Sequence, residues 1–91
     1  MEITKTTTIV WASEEEQLQP NLDAARSAKI NQMISEGKTN GALERISPTT
    51  SKRFWKDQSA SEEFISFIMA QAELWNCDVV STLIEDYTAP V

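Results

Sequence analysis

The stretch SKRFWKDQSASEEFISFI, residues 51–68, changes its side-chain periodicity halfway along. In TSKRFWKD, residues 50–57, Arg53 and Trp55 fall on one side of an extended chain and Phe54 and Lys56 on the other, the period of a strand. Further on, Phe64, Phe67, Ile68, Ala72 and Trp75 recur at three and four, flanked by Ile65 and Met69, and predict an amphipathic helix over 60–75. Between them SASE, residues 59–62, has the form of a capping box, in which Ser59 accepts from the Glu62 amide and Glu62 reaches back to that of Ser59. Glu62 and Glu63 would then complement the dipole of the first turn, and Asn76 would supply a left-handed stop. A strand feeding directly into a helix needs a sheet for the one to join and the other to cover, which restricts the chain to a layered fold.

The remaining segments repeat the alternation. EITKTTTIVWA, residues 2–12, is β-branched, with Ile3, Thr7, Ile9 and Trp11 on one side and Thr4, Thr6, Thr8 and Val10 on the other. That second face is either wet or paired with something polar. SEEEQLQP, residues 13–20, is an acidic connection, although SEEE could also begin a helix that Pro20 interrupts. LDAARSAKINQMISE, residues 22–36, reads as a helix capped by Asn21 and stopped by Gly37, with a stripe through Leu22, Ala25, Ala28 or Lys29, and Met33, and with Ile30 and Ile34 alongside. After the turn at 37–41, residues 42–57 form a hairpin with SPTT at its tip, or one long strand with a bulge there. CDVVSTLIEDY, residues 77–87, is a last strand with Val79, Ser81 and Leu83 on one face and Val80, Thr82 and Ile84 on the other. Apolar groups on both faces imply burial on both sides or a contact between subunits. The order strand, helix, strand, strand, helix, strand predicts an α+β, ferredoxin-like domain spanning residues 1–91, with two helices on one face of a four-stranded antiparallel sheet.

Charge and residue usage narrow the chemistry. Fourteen acids against eight bases give a net charge of −6. Nucleic acid and anionic membrane surfaces, which draw affinity from Lys and Arg, are therefore not expected partners. The first thirteen residues lack the basic and long apolar regions of a signal peptide, and no stretch approaches the ~18 apolar residues of a membrane span. A single cysteine, Cys77, permits no intrachain disulfide and fits a reducing, cytoplasmic setting; it reads as a buried, inert thiol. With no histidine there is no Ser-His-Asp triad, and one cysteine cannot build a structural zinc site. Two glycines make no phosphate loop, and Glu14–Glu16 lacks the alternating spacing of a calcium loop. No cofactor is expected, and no carboxylate among Glu44, Asp57, Glu73, Asp78, Glu85 and Asp86 stands out as a general acid or base.

The one constellation that could bind something is aromatic and basic. Arg53 and Trp55 should leave the same face of one strand, and if that face is open, Trp11 joins them in an apolar pocket with a cationic rim. The competing reading packs Trp11 and Trp55 under the helices or in a dimer seam, as aromatics at strand spacing usually are. Trp75, ending a helical stripe, is expected in the core.

The strand KRFWKD, the Ser/Glu-rich helix start and the Phe-bearing helix, carried by Arg53, Trp55, Ser59, Glu62, Glu63 and Phe64, resemble the middle of the antibiotic-monooxygenase-like, dimeric α/β-barrel group. The likeness covers about twenty residues plus the order of elements. That group spans enzymes, haem-binding proteins and domains of no known activity, and the absence of histidine departs from its haem-degrading and oxygenase members. Two functions follow as expectations. One is a small acidic, non-catalytic interaction or assembly module acting as a homodimer or on a protein partner, of a size and charge that also suit a phage-type accessory protein. The other is a cofactor-independent enzyme or small-ligand binder of the dimeric α/β-barrel kind. An acidic decoy for a nucleic-acid-binding site ranks last, because the acids are interspersed with bases.

Overall fold

A central strand pair organises the molecule. In the computed structural model, which describes residues 1–90, β1 (Lys5–Trp11) lies between β3 (Thr50–Trp55) and β4 (Val79–Asp86), and β2 (Thr39–Ser47) completes the sheet beyond β3. The order is β2-β3-β1-β4 and every neighbouring pair is antiparallel. Three helices connect the strands: α1 (Glu14–Gln17), α2 (Pro20–Ser35) and α3 (Gln58–Leu74). The α1–α2 connection links β1 to β2 across β3, and α3 links β3 to β4 across β1. The chain is thus α+β with a four-stranded antiparallel sheet.

Both long helices pack on the same face of that sheet. Ile9, Trp11 and Trp55 from the strands meet Leu22, Ile30 and Met33 from α2 and Ala60, Phe64, Ile68 and Ala72 from α3 in one buried cluster. The Trp55 and Phe64 rings stack with centroids 4.6 Å apart, and the buried indole Nε1–H of Trp55 donates to Thr7 Oγ1 at 2.9 Å. A buried polar atom in such a place costs stability unless it is bonded, and no buried side-chain polar atom among the described residues lacks a partner. Glu63 ties the layers together at the surface, pairing with Lys29 of α2 at 3.0 Å and with Lys38, just before β2, at 2.8 Å.

Helix ends follow local chemistry, with some shifts from expectation. SEEE does begin a helix: Ser13 caps α1 by accepting from the Glu16 amide at 3.1 Å, and the helix ends before Pro20. Pro20 is then the first residue of α2, where its missing N–H is harmless, and Gln19 rather than Asn21 is the cap, accepting from the Leu22 amide at 2.8 Å. Asp57, not Ser59, caps α3, accepting from the Ala60 amide at 2.9 Å. Aspartate competes well with serine as a cap. Starting two residues earlier lets the helix bury Ala60 and leaves Glu62 and Glu63 outside the first turn. Both predicted stops hold. Gly37 (φ 72°) and Asn76 (φ 55°) are left-handed, and each is followed by the six-to-one bond of a Schellman motif, Lys38 N–H to Met33 O at 2.9 Å and Cys77 N–H to Ala72 O at 2.8 Å.

Three side-chain placements differ from the sequence reading. The buried stripe of α2 runs Leu22, Arg26, Ile30, Met33, so an arginine takes the place given to Ala25. Trp75 is the C-cap of α3 and is 36 % exposed, because the helix rotates past the core before it ends. In β4 a register shift sets Val79 opposite Trp11 and Ser81 opposite Val10, leaving Val80 as the extra residue. The bulge turns Val79 inward with Thr82 and Ile84, while Ser81, Leu83 and Glu85 share the other face. Within this chain β4 is an edge strand, not one buried on both sides. Residues 42–57 do form a hairpin, with Pro48 and Thr49 joining Ser47 to Thr50.

Candidate functional site

Trp11, Arg53 and Trp55 do share one face of the sheet, as period two requires, but it is the face covered by α2 and α3. Trp11 and Trp55 are 2 % and 0 % exposed, so neither is a surface for a ligand or partner. The reason is volume: these two indoles are the largest apolar groups on the inner face, and the helices close over them. Arg53 is half-buried and lines a small cavity with Trp11, with Arg26 and Ser51 among its neighbours.

Those neighbours form a basic corner where the α1–α2 connection meets the β2–β3 hairpin. Arg26, only 7 % exposed, donates from Nη2 to Gln17 O at 2.9 Å and to Asp23 Oδ1 at 2.8 Å. Arg45 donates to Gln17 Oε1 at 2.6 Å. The buried Gln17 also approaches Ser51 Oγ at 3.5 Å from Nε2. The Arg53 side chain has no hydrogen bond or ion pair among the described residues; its guanidinium lies over the Phe64 ring, 5.8 Å from the centroid. Burial first, and then repulsion from Arg26 and Arg45, together push its pKa down from the ordinary arginine range to about 10, with Asp23 opposing the change. A small cavity of about 10 Å³ separates the helices from the sheet here, with Thr7, Arg26, Ser51 and Arg53 on its polar side and Trp11 and Phe64 on its apolar side. It has room for one water-sized group.

The opposite sheet face is uncovered. In register it carries Thr6, Thr8 and Val10 of β1, Thr50, Lys52 and Phe54 of β3, and Ser81, Leu83 and Glu85 of β4. Phe54 meets Tyr87 edge to face, with centroids 5.5 Å apart. Thr6, set between Phe54 and Glu85, is buried despite its position on this side. Leu83 is more than half exposed. Glu44 lies opposite Lys52, and with Glu85 these are the charged groups that the paired register places here.

No arrangement among the described residues can hold a metal through three or more His, Cys, Asp or Glu groups. Burial, assisted by Glu16 and Asp78, pushes the Cys77 thiol up, away from the thiolate a nucleophile needs. No described helix is long and apolar enough to cross a membrane.

Sequence reasoning singled out Arg53 and missed Arg26, Arg45 and Gln17. Arg26 had a signal: it sits four residues after Leu22 and four before Ile30, on the buried side of a helix. Arg45 and Gln17 had none, because only the hairpin's return brings them together. Comparison with protein families, with curated proteins and with solved structures finds no match to this chain.

Proposed function

We propose that this chain is a non-catalytic interaction module that pairs with a second copy of itself across the open face of its sheet. One observation carries the reading: a layer of the fold bearing Val10, Phe54, Leu83 and Tyr87 has no helix over it. Its charge is also low. Against a chain total of −6, the face holds Lys52 with Glu44 and Glu85, so two copies meet there with little repulsion. A two-fold axis along β1 brings Lys52 of each copy over β4 of the other, within reach of Glu85.

Size sets the strength. Four strands spaced ~4.8 Å apart and about seven residues long present roughly 450 Å² each, so two faces bury roughly 900 Å². That lies near the lower bound of about 1,000 Å² for specific interfaces, and implies a micromolar rather than a nanomolar dimer. The strand order and the two crossovers, each over one strand, support a ferredoxin-like assignment, with α1 as an addition. The likeness of residues 51–68 to the dimeric α/β-barrel group supports the same pairing. Cys77, the lone buried cysteine, supports a cytoplasmic setting. Against the enzyme reading stands the packed core: Trp11 and Trp55 are buried, and the cavity beside Trp11 is only about 10 Å³.

Sedimentation equilibrium from about 5 to 500 μM tests the proposal, a range bracketing the micromolar affinity expected of so small an interface. The wild-type chain should pass from monomer to dimer, and Leu83→Glu should stay monomeric with an unchanged circular dichroism spectrum. A wild-type chain that is monomeric throughout overturns the reading.

A further inference from the structure

We propose that the basic corner is a binding site for a small oxyanion, a carboxylate or a phosphate, received between Arg26, Arg45 and Arg53. Three of the chain's eight basic residues converge there, although acids outnumber bases across the molecule: Arg26 and Arg45 both bond Gln17, and Arg26 and Arg53 line one cavity. The one carboxylate that acts on Arg53 is Asp23, and it is already bonded to Arg26. The Arg53 guanidinium is left half-buried over the Phe64 ring, with no hydrogen bond or ion pair of its own among the described residues. A cation taken from water without a counter-charge is a burden to a fold unless something else supplies the charge.

The geometry fits an oxygen-bearing anion. The cavity of about 10 Å³ admits a single oxygen, walled by Ser51, Arg26 and Arg53. Planar guanidinium groups match carboxylate and phosphate oxygens with paired donors. Arg45, linked to Arg26 through Gln17, lines a wider surface groove of about 530 Å³ with Glu14, Leu18, Ser47 and Pro48, so it marks the outer edge of the corner. The site lies on the helix side of the sheet, so it is independent of the dimer reading, and either can fail alone.

Arginine Nε–H resonances followed by ¹H–¹⁵N spectroscopy decide the matter, with acetate, inorganic phosphate and chloride each titrated at constant ionic strength. The Arg53 and Arg26 signals should move saturably, in the millimolar range, with acetate or phosphate and not with chloride. Saturation by one of the two identifies the anion class; saturation by both shows a site that reads only the oxygens. Arg45→Gln, at an exposed position, should weaken half-saturation by about tenfold, the effect of losing one charge-assisted hydrogen bond, and Arg53→Gln should abolish it. Shifts that grow linearly and equally with all three salts, or a saturating response that leaves Arg53 unmoved, overturn the proposal. Both readings come from the wild-type protein, so they hold even if Arg53→Gln does not fold.

Discussion

Arg53→Met should make the protein more stable. The substitution keeps the length and apolar stem of the side chain and removes a half-buried guanidinium that has no bonding partner. At about 1.4 kcal/mol per pH unit, the fall of the Arg53 pKa from the ordinary arginine range to about 10 limits the penalty to about 3 kcal/mol. The group is partly exposed, so solvent screening reduces this by about half, to about 1.5 kcal/mol. Loss of the cation–π contact with Phe64 returns about 0.5 kcal/mol. The net gain is about 1 kcal/mol, or a rise of roughly 4–8 °C in Tm for a domain of this size. Urea unfolding at neutral pH, in a buffer without phosphate or carboxylate, measures it as a higher midpoint at unchanged slope. The pH dependence has a definite sign. Because the folded pKa lies below the unfolded one, the folded chain binds fewer protons between about pH 10 and the ordinary arginine range, and stability rises with pH there. The penalty is complete below pH 10 and fades above it, so the advantage of Arg53→Met should shrink as alkaline pH is approached. A variant less stable than wild type by 1 kcal/mol or more, or an advantage that ignores pH, would refute the reasoning and make Arg53 a structural residue.

Two further outcomes test the local physics. Asp57→Ala should cost about 1 kcal/mol through loss of the α3 cap, whereas Ser59→Ala should leave the urea midpoint almost unchanged; equal losses would show that the capping box at Ser59 operates after all. Glu63 is held below its usual range by hydrogen bonds from Lys38 and then Lys29, so its contribution is present above pH 4.5 and is lost as pH falls further. Glu63→Gln should therefore lower stability at neutral pH and flatten the acid limb of a stability–pH profile, and an unaltered limb would count against the network.

Much of the architecture was readable because it rests on local rules. The β-branched alternation of residues 2–12 makes a strand wherever a sheet exists, and Phe64, Ile68 and Ala72 make one side of a helix whatever they meet. Gly37 and Asn76 stop their helices through backbone conformation alone. The cap of α3 was harder, since Asp57 and Ser59 are both good caps and burial of Ala60 chose between them. The bulge at Val80 was not readable, because an extra residue in a strand is visible only against its partner.

The candidate sites divide along the same line. Period two placed Trp11, Arg53 and Trp55 on one face, and an abundance of acids argued against nucleic-acid partners; both follow from the order and charge of the residues. Which sheet face the helices would cover was not contained in that order, since each face of the sheet carries apolar groups. It was decided when the crossovers laid α2 and α3 over the two tryptophans, burying the largest apolar area and leaving Phe54, Leu83 and Tyr87 uncovered. The same packing brought Arg26, Arg45 and Arg53 together from one helix and two strands. Charges so far apart in sequence become one electrostatic site only when the fold removes the water between them.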